Sequence, residues 1–199
     1  MSGKPGAAPG AAPGAGGAPH PRVKLVIAGD TGCGKSCLIR RYCEGAFEPR
    51  YIPTVGVDYG VRALTLLGSA GVRANFYDTS GSPAYAIVRC EFYREAEGLL
   101  LVFDACDGGA LERLGGWLEE AQRCGLRALT PVVLCGTKVD AGGRRAVPRE
   151  AAEAWAAGHP GATYHEASAL TGQGVREAVE ALLAACLIEG SSGGSAGSG

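Results

Sequence analysis

The chain has 199 residues, 33 of them glycine and 11 proline, with a formal net charge of −1. No Gly-X-Y period runs through it, which excludes collagen, and the balanced charge argues against a general electrostatic footprint for nucleic acid. No apolar run approaches the roughly 18 residues that span a bilayer, and the N-terminus lacks the apolar segment of a secretory signal.

Residues 1–21 hold six glycines and five prolines. They lack the apolar bulk to offset ordering entropy, so a disordered tail is expected there. A second flexible Gly/Ser tail is expected over 190–199. The middle, 22–189, has the size of one domain with a continuous core. A short apolar strand is expected from Val23 to Ala28, followed by a helix from Lys35 to Cys43. Strands from Val57 to Leu67 and from Val72 to Tyr77 are separated by a turn from Gly68 to Gly71. The unbroken apolar runs Leu99 to Phe103 and Val132 to Cys135 read as strands buried on both faces. Leu111, Leu114, Leu118 and Ala121 recur at helical spacing, as do Val175, Val179, Leu182 and Cys186, and Leu183 and Leu187. Pro148 can begin a helix over Glu150 to Ala157, and a last short strand is expected from Ala162 to Glu166. Strands alternating with helices imply an α/β fold around a mostly parallel sheet. Ligands bind such sheets beyond the carboxyl ends of the strands.

One loop stands in that place. Gly29-Asp30-Thr31-Gly32-Cys33-Gly34-Lys35-Ser36 matches G-x-x-x-x-G-K-[ST] at every fixed position, between a strand and a helix. Glycines let successive backbone N–H groups face one anion, and the helix N-terminus adds a favourable dipole. Lys35 would reach the β- and γ-phosphates, and the Ser36 hydroxyl would ligate Mg²⁺. Thr137-Lys138-Val139-Asp140 follows a buried strand. A carboxylate there can accept from guanine N1–H and the 2-amino group, donors that adenine lacks. The stem of Lys138 could cover the base. In Glu166-Ala167-Ser168-Ala169, a backbone amide could bond guanine O6.

In this order the motifs resemble the Ras-like small GTPases, over roughly Arg22 to Leu187. The resemblance is closest to the Rab branch and, through Arg41-Tyr42-Cys43-Glu44, Val55-Gly56-Val57-Asp58-Tyr59-Gly60-Val61 and Glu91-Phe92-Tyr93, to its RJL group. Animal RJL members often carry a C-terminal J domain, which is not expected here. The resemblance implies a P-loop NTPase fold, a mostly parallel six-stranded sheet with helices on both faces, and GTP/GDP with Mg²⁺ as ligands. It makes Thr54 and Asp78 metal-associated beside Ser36, and gives Gly81 a γ-phosphate contact. Phe47 would pack over the guanine. Thr137, Lys138 and Asp140 would read the base, with Thr137 where Asn is commoner. Ser168 and Ala169 complete the site, with Leu170 in place of the common Lys. Cys37 falls beside the nucleotide as well. Partners would be effectors and regulators meeting switch I (47–58, from Phe47 to Asp58) and switch II (78–93, from Asp78 to Tyr93), with the protein a monomer.

The catalytic set implied by the resemblance is Lys35, Thr54, Gly81 and Ser82, and here the chain departs from the pattern. Ser82 occupies the place of the glutamine that orients the attacking water. Its hydroxyl stops three heavy atoms short, and Pro83 removes an N–H from switch II. Thr31 would crowd the γ-phosphate. Slow hydrolysis is expected. A non-hydrolysing, GTP-stabilised interaction module is the alternative, and a P-loop ATPase or kinase a third reading that Asp140 and Ser168-Ala169 oppose.

The 8 cysteines show no C-x-x-C pair and no zinc spacing. Free, reduced thiols in an intracellular, cytosolic protein are therefore expected, with the nucleus or a cilium allowed by resemblance. Neither a C-a-a-X end nor a glycine at position 2 is present, so no lipid anchor is expected. His20, His159 and His165 lack partner spacing, and Trp117 and Trp155 read as packing residues.

Overall fold

The computed structural model describes residues 21–65 and 71–192. Six strands form one sheet in the order β2-β3-β1-β4-β5-β6. They are β1 (Arg22–Ala28), β2 (Val57–Leu64), β3 (Val72–Thr79), β4 (Gly98–Asp104), β5 (Val132–Thr137) and β6 (Ala162–Glu166). Every neighbouring pair is parallel except β2 with β3, which run antiparallel from Val57↔Thr79 to Leu64↔Val72. The helices are α1 (Lys35–Glu44), α2 (Ala86–Tyr93), α3 (Ala110–Arg123), α4 (Arg149–Ala157) and α5 (Val175–Ser192).

The apolar run in β4 explains the layering. Successive strand side chains point to opposite faces, so Leu100 and Val102 enter the core beneath α1 and α5. Leu99, Leu101 and Phe103 enter the other core, beneath α3 and α4. All five are buried. Each contributes about 1.5–3 kcal/mol relative to exposure, enough to fix the strand in the sheet's centre. β1 lies beside it, paired in parallel from Leu25↔Gly98 to Ala28↔Leu101.

The expected strands and helices appear with ends shifted by a few residues. The expected turn from Gly68 to Gly71, and the end of the strand before it, lie largely outside the described residues, as do 1–20 and 193–199. Helix α5 runs to Ser192, which corrects the expectation that the flexible tail starts at Gly190. A helix already nucleated by a packed face gains one hydrogen bond per added residue, so it overruns its last apolar position. Helix α2 was not anticipated. Its buried residues are Arg89 and Tyr93, at i and i+4, and a buried arginine gives no apolar periodicity to read.

The thiols need a correction. Cys90 on α2 and Cys124, the C-cap residue of α3, form a disulfide across 34 positions, with Cα atoms 5.1 Å apart. Packing of α2 on α3 brings them together, a proximity their spacing does not announce. The other six cysteines are free. Thiol state therefore gives no support to a reducing compartment.

Candidate functional site

At the carboxyl ends of β1, β4 and β5 lies a cleft of about 500 Å³, in the range of small-molecule sites. Its walls include Thr31, Gly32, Gly34, Lys35, Ser36, Cys37, Phe47, Thr54, Gly81, Ser82, Thr137, Lys138, Asp140 and Ala169. Segments far apart in sequence thus meet at one cleft. Five residues expected at the site do not line the cleft: Gly29, Asp30, Cys33, Asp78 and Ser168. The reasons differ.

Gly29 is a glycine because of the sheet. A Cβ there would stand 2.0 Å from the Val102 carbonyl oxygen of β4, and its φ of +143° disfavours any side chain. Gly81 is similarly fixed, because a Cβ would come within 2.3 Å of the Thr31 backbone nitrogen. These two glycines serve close approach of backbone to backbone, a requirement that the loop motif does not display. Cys33 turns into the core, its thiol donating to Val102 O at 3.2 Å, and burial pushes its pKa up. Asp30 turns outward to α3, where it accepts from Trp117 Nε1 at 2.8 Å and Arg113 Nε at 2.7 Å. Ser168 is fully buried, and its hydroxyl accepts from the Thr171 N–H at 3.1 Å.

Lys35 is 5% exposed and crosses the loop it belongs to. Its Nζ donates to the carbonyls of Gly29 and Asp30, each at 2.8 Å. Beside it three oxygen-bearing side chains converge from three elements. The Ser36 hydroxyl, on the first turn of α1, donates to Asp78 Oδ2 on β3 and lies 2.9 Å from Thr54 Oγ1. Asp78 Oδ1 is buried without a hydrogen-bond partner. Burial pushes the Asp78 pKa up to about 6, against the Ser36 bond and the Lys35 charge, and Asp58 adds to the rise. A buried carboxylate oxygen left unpaired is costly, and hard oxygen donors of this kind suit Mg²⁺. The residues present therefore fit the ion. Among the described residues there is no cluster of three or more His, Cys, Asp or Glu that could hold a metal.

The far wall is built on strand ends. Thr137, 2% exposed, closes β5. Its hydroxyl donates to Cys33 O and to Phe103 O, tying β5 to the glycine-rich loop and to β4. Thr137 thus replaces the commoner amide with a buried brace. Lys138 has a left-handed φ of 61°. Its Nζ donates to Gly32 O at 2.8 Å and to Asp104 Oδ2 at 2.7 Å, drawing the aliphatic stem across the cleft. Arg41 on α1, not singled out from sequence as a site residue, holds the opposing loop by donating to the carbonyls of Ala169 (2.7 Å) and Leu170 (2.6 Å). Its guanidinium lies 6.0 Å from the Phe47 ring centre. Arg144, also missed, lines the cleft near Asp140. Such cross-chain braces leave no local motif.

Ser82 has a task of its own. Its hydroxyl accepts from the Ala84 N–H at 3.3 Å and caps the 3-10 turn Pro83–Tyr85. Arg89 lies behind it, 4% exposed. Arg89 donates to Ser80 O (3.2 Å) and Ser82 O (2.7 Å), and forms a two-pronged ion pair with Glu120 of α3 (2.5 and 2.7 Å).

Among the described residues, no helix is long and apolar enough to cross a membrane. The Ras family model matches residues 24–188. Relatives include DnaJ homolog subfamily C member 27 of Danio rerio, 38% identical over 160 residues, which are 78% of this chain and 58% of that protein. The Gallus gallus protein of the same name is 34% identical over 170 residues, 83% of this chain and 62% of its own. The Homo sapiens one is 34% identical over 160 residues, with shares of 78% and 58%. The chain spans about three-fifths of the length of these relatives. The glycine-rich loop after β1, the six-stranded sheet with one antiparallel edge and the match across nearly the whole described domain agree, and the chain belongs to the Ras family, whose members are small GTP-binding proteins.

Proposed function

We propose that residues 22–189 form a guanine-nucleotide-dependent switch that binds GTP or GDP with Mg²⁺ and hydrolyses GTP slowly. The observation that carries this reading is the convergence of Ser36, Thr54 and Asp78 at the Lys35 loop, with one Asp78 oxygen unpartnered. Ser36, Thr54 and Asp78 would hold Mg²⁺, which when bound supplies positive charge beside the phosphates. Lys35 would exchange its two carbonyl acceptors for phosphate oxygens, and the N–H groups of the loop would surround the β-phosphate. Thr137, Lys138, Asp140, Ser168, Ala169 and Phe47 would hold guanine. Gly29, Asp30, Thr31, Gly32, Cys33, Gly34 and Cys37 would contribute through backbone or close packing.

In hydrolysis, water attacks the γ-phosphorus in line, and the Lys35 ammonium and backbone N–H groups stabilise the charge that builds up. Thr54 and Gly81 would meet the γ-phosphate only in the GTP form, so its loss would release switch I and switch II. No side chain at position 82 aims at the water, because the serine hydroxyl caps the next turn. That supports slow intrinsic hydrolysis. The same contact also favours a second reading, an interaction module that binds GTP without turnover. Partners would be effector and regulatory proteins at 47–58 and 78–93.

Release of the nucleotide that co-purifies, followed by chromatography, tests the reading. GTP or GDP supports it, whereas an adenine nucleotide overturns it. Single-turnover assays then separate the alternatives: slow phosphate release supports the switch, and none supports the module.

A further inference from the structure

Switch II of this chain is anchored from behind. Arg89 uses four of its N–H bonds in two directions. Nε and one terminal nitrogen grip both carboxylate oxygens of Glu120. The other terminal nitrogen bonds the carbonyls of Ser80 and Ser82, which flank Gly81. The guanidinium also lies over the Trp117 ring, 4.6 Å from its centre, while the Trp117 indole N–H donates to Asp30 of the glycine-rich loop. Tyr93 Oη donates to Glu120 Oε1 at 3.3 Å. One face of α3 therefore holds both Asp30 and, through Arg89, the backbone around Gly81. Cys90, the residue after Arg89, closes the same α2–α3 seam covalently.

The consequence lies in peptide geometry. No described peptide bond is cis, and in a trans peptide the C=O and N–H point in opposite directions. The Ser80 carbonyl faces the Arg89 guanidinium, so the N–H of Gly81, on the same peptide, points away from that guanidinium. Gly81 itself lines the cleft and packs on the backbone of Asp30 and Thr31. The second bond, to Ser82 O, holds the Ser82–Pro83 peptide, two peptides further along. The preceding peptide is held too, because the Ser80 N–H donates to Gly56 O at 2.9 Å, within 47–58.

We propose that Arg89 is a positioning residue that aims the Gly81 N–H at the γ-phosphate, with Glu120 and Trp117 of α3 holding Arg89 in place. It acts through the backbone and touches no phosphate itself. This rests on the nucleotide-switch reading above and deepens it, because it assigns how the chain distinguishes GTP from GDP at a site lacking the usual glutamine. Only a planar fork can serve a carboxylate and two carbonyls at once.

The test compares affinities for fluorescent GDP and for a fluorescent, non-hydrolysable GTP analogue, in the presence of Mg²⁺. Arg89→Lys keeps the charge and loses the fork. The expected result is an analogue affinity lower by about tenfold, equivalent to about 1.4 kcal/mol, with GDP affinity unchanged. Glu120→Gln, which keeps the shape and weakens the grip, is expected to move the ratio the same way by less. Exchange protection of the Gly81 amide in the analogue-bound form is expected to fall in both variants. Equal losses for both nucleotides would mean that Arg89 is merely structural, and would overturn the inference. So would an unchanged ratio in a folded variant. If the unaltered chain binds neither nucleotide, the switch reading falls and the inference with it; if it discriminates and the variants do too, only the inference falls.

Discussion

The two walls of the cleft are made differently. The wall proposed for guanine sits on strand ends, with Thr137 closing β5 and Ala169 shortly after β6, and the residues of each motif stand within a few positions of one another. The wall proposed for the γ-phosphate sits on a 3-10 turn and an eight-residue helix, α2. Its shape is held by α3, through Arg89, Glu120 and the Cys90–Cys124 bond. Strand ends inherit their position from the sheet, whereas the second wall depends on one helix packing on another. The first wall is therefore expected to be rigid and local in its mutational response, and the second to respond to changes on α3 that touch no ligand.

The largest effect should ignore this division. Lys35→Ala removes an ammonium that would meet two phosphates, and nucleotide affinity is expected to fall by about a thousandfold, measured by equilibrium titration. A loss confined to GTP would break the picture of a shared phosphate cradle. Next, Cys124→Ser opens a loop spanning 34 positions, and the chain-entropy account gives a cost of about 4 kcal/mol, read from thermal or denaturant unfolding. Hydrogen exchange should rise across α2 and leave β5 and β6 unmoved. A uniform rise would erase the distinction between the walls. On the other wall, Asp140→Ala is expected to cost about 2 kcal/mol of guanine binding, with ATP then competing more nearly equally in a displacement assay. Ser82→Gln sharpens the comparison further: single-turnover hydrolysis should quicken by about tenfold, a barrier change of about 1.4 kcal/mol. No gain would mean that the turn capped at position 82 keeps a longer side chain from the water.

The smallest effect concerns the strand-built wall and pH. Burial would raise the Glu166 pKa, yet hydrogen bonds from Arg145 and Tyr164 and the charges of Arg145 and Arg149 outweigh it and hold the carboxyl below its ordinary value. The pair's stabilisation is then complete above the ordinary glutamate pKa and is lost as the pH falls through the depressed one. Solvent screening keeps it under about 1 kcal/mol. Unfolding midpoints of the unaltered chain and Arg145→Gln should differ slightly near neutrality and converge in acid; divergence in acid would reverse the assigned sign.

Much of this protein was legible in its residues, and the legible parts share a cause. The loop from Gly29 to Ser36, the Thr137-Lys138-Val139-Asp140 motif and the buried runs of β4 and β5 work through local spacing, and spacing is what a sequence displays. The sequence also revealed the departure at Ser82. It was silent where contacts are long in the chain. Arg41 reaches Ala169 across 128 positions, Trp117 reaches Asp30 across 87, and Arg89 reaches Glu120 across 31. Nor could residue types show that Asp30 and Cys33 turn away from the cleft, or that Gly29 answers to the Val102 carbonyl. The sequence by itself determined the fold class, the phosphate loop and the family resemblance. The tertiary structure alone decided how residues 78–93 are held, because a buried arginine, a cross-helix disulfide and an indole bond exist only once α2 and α3 have packed.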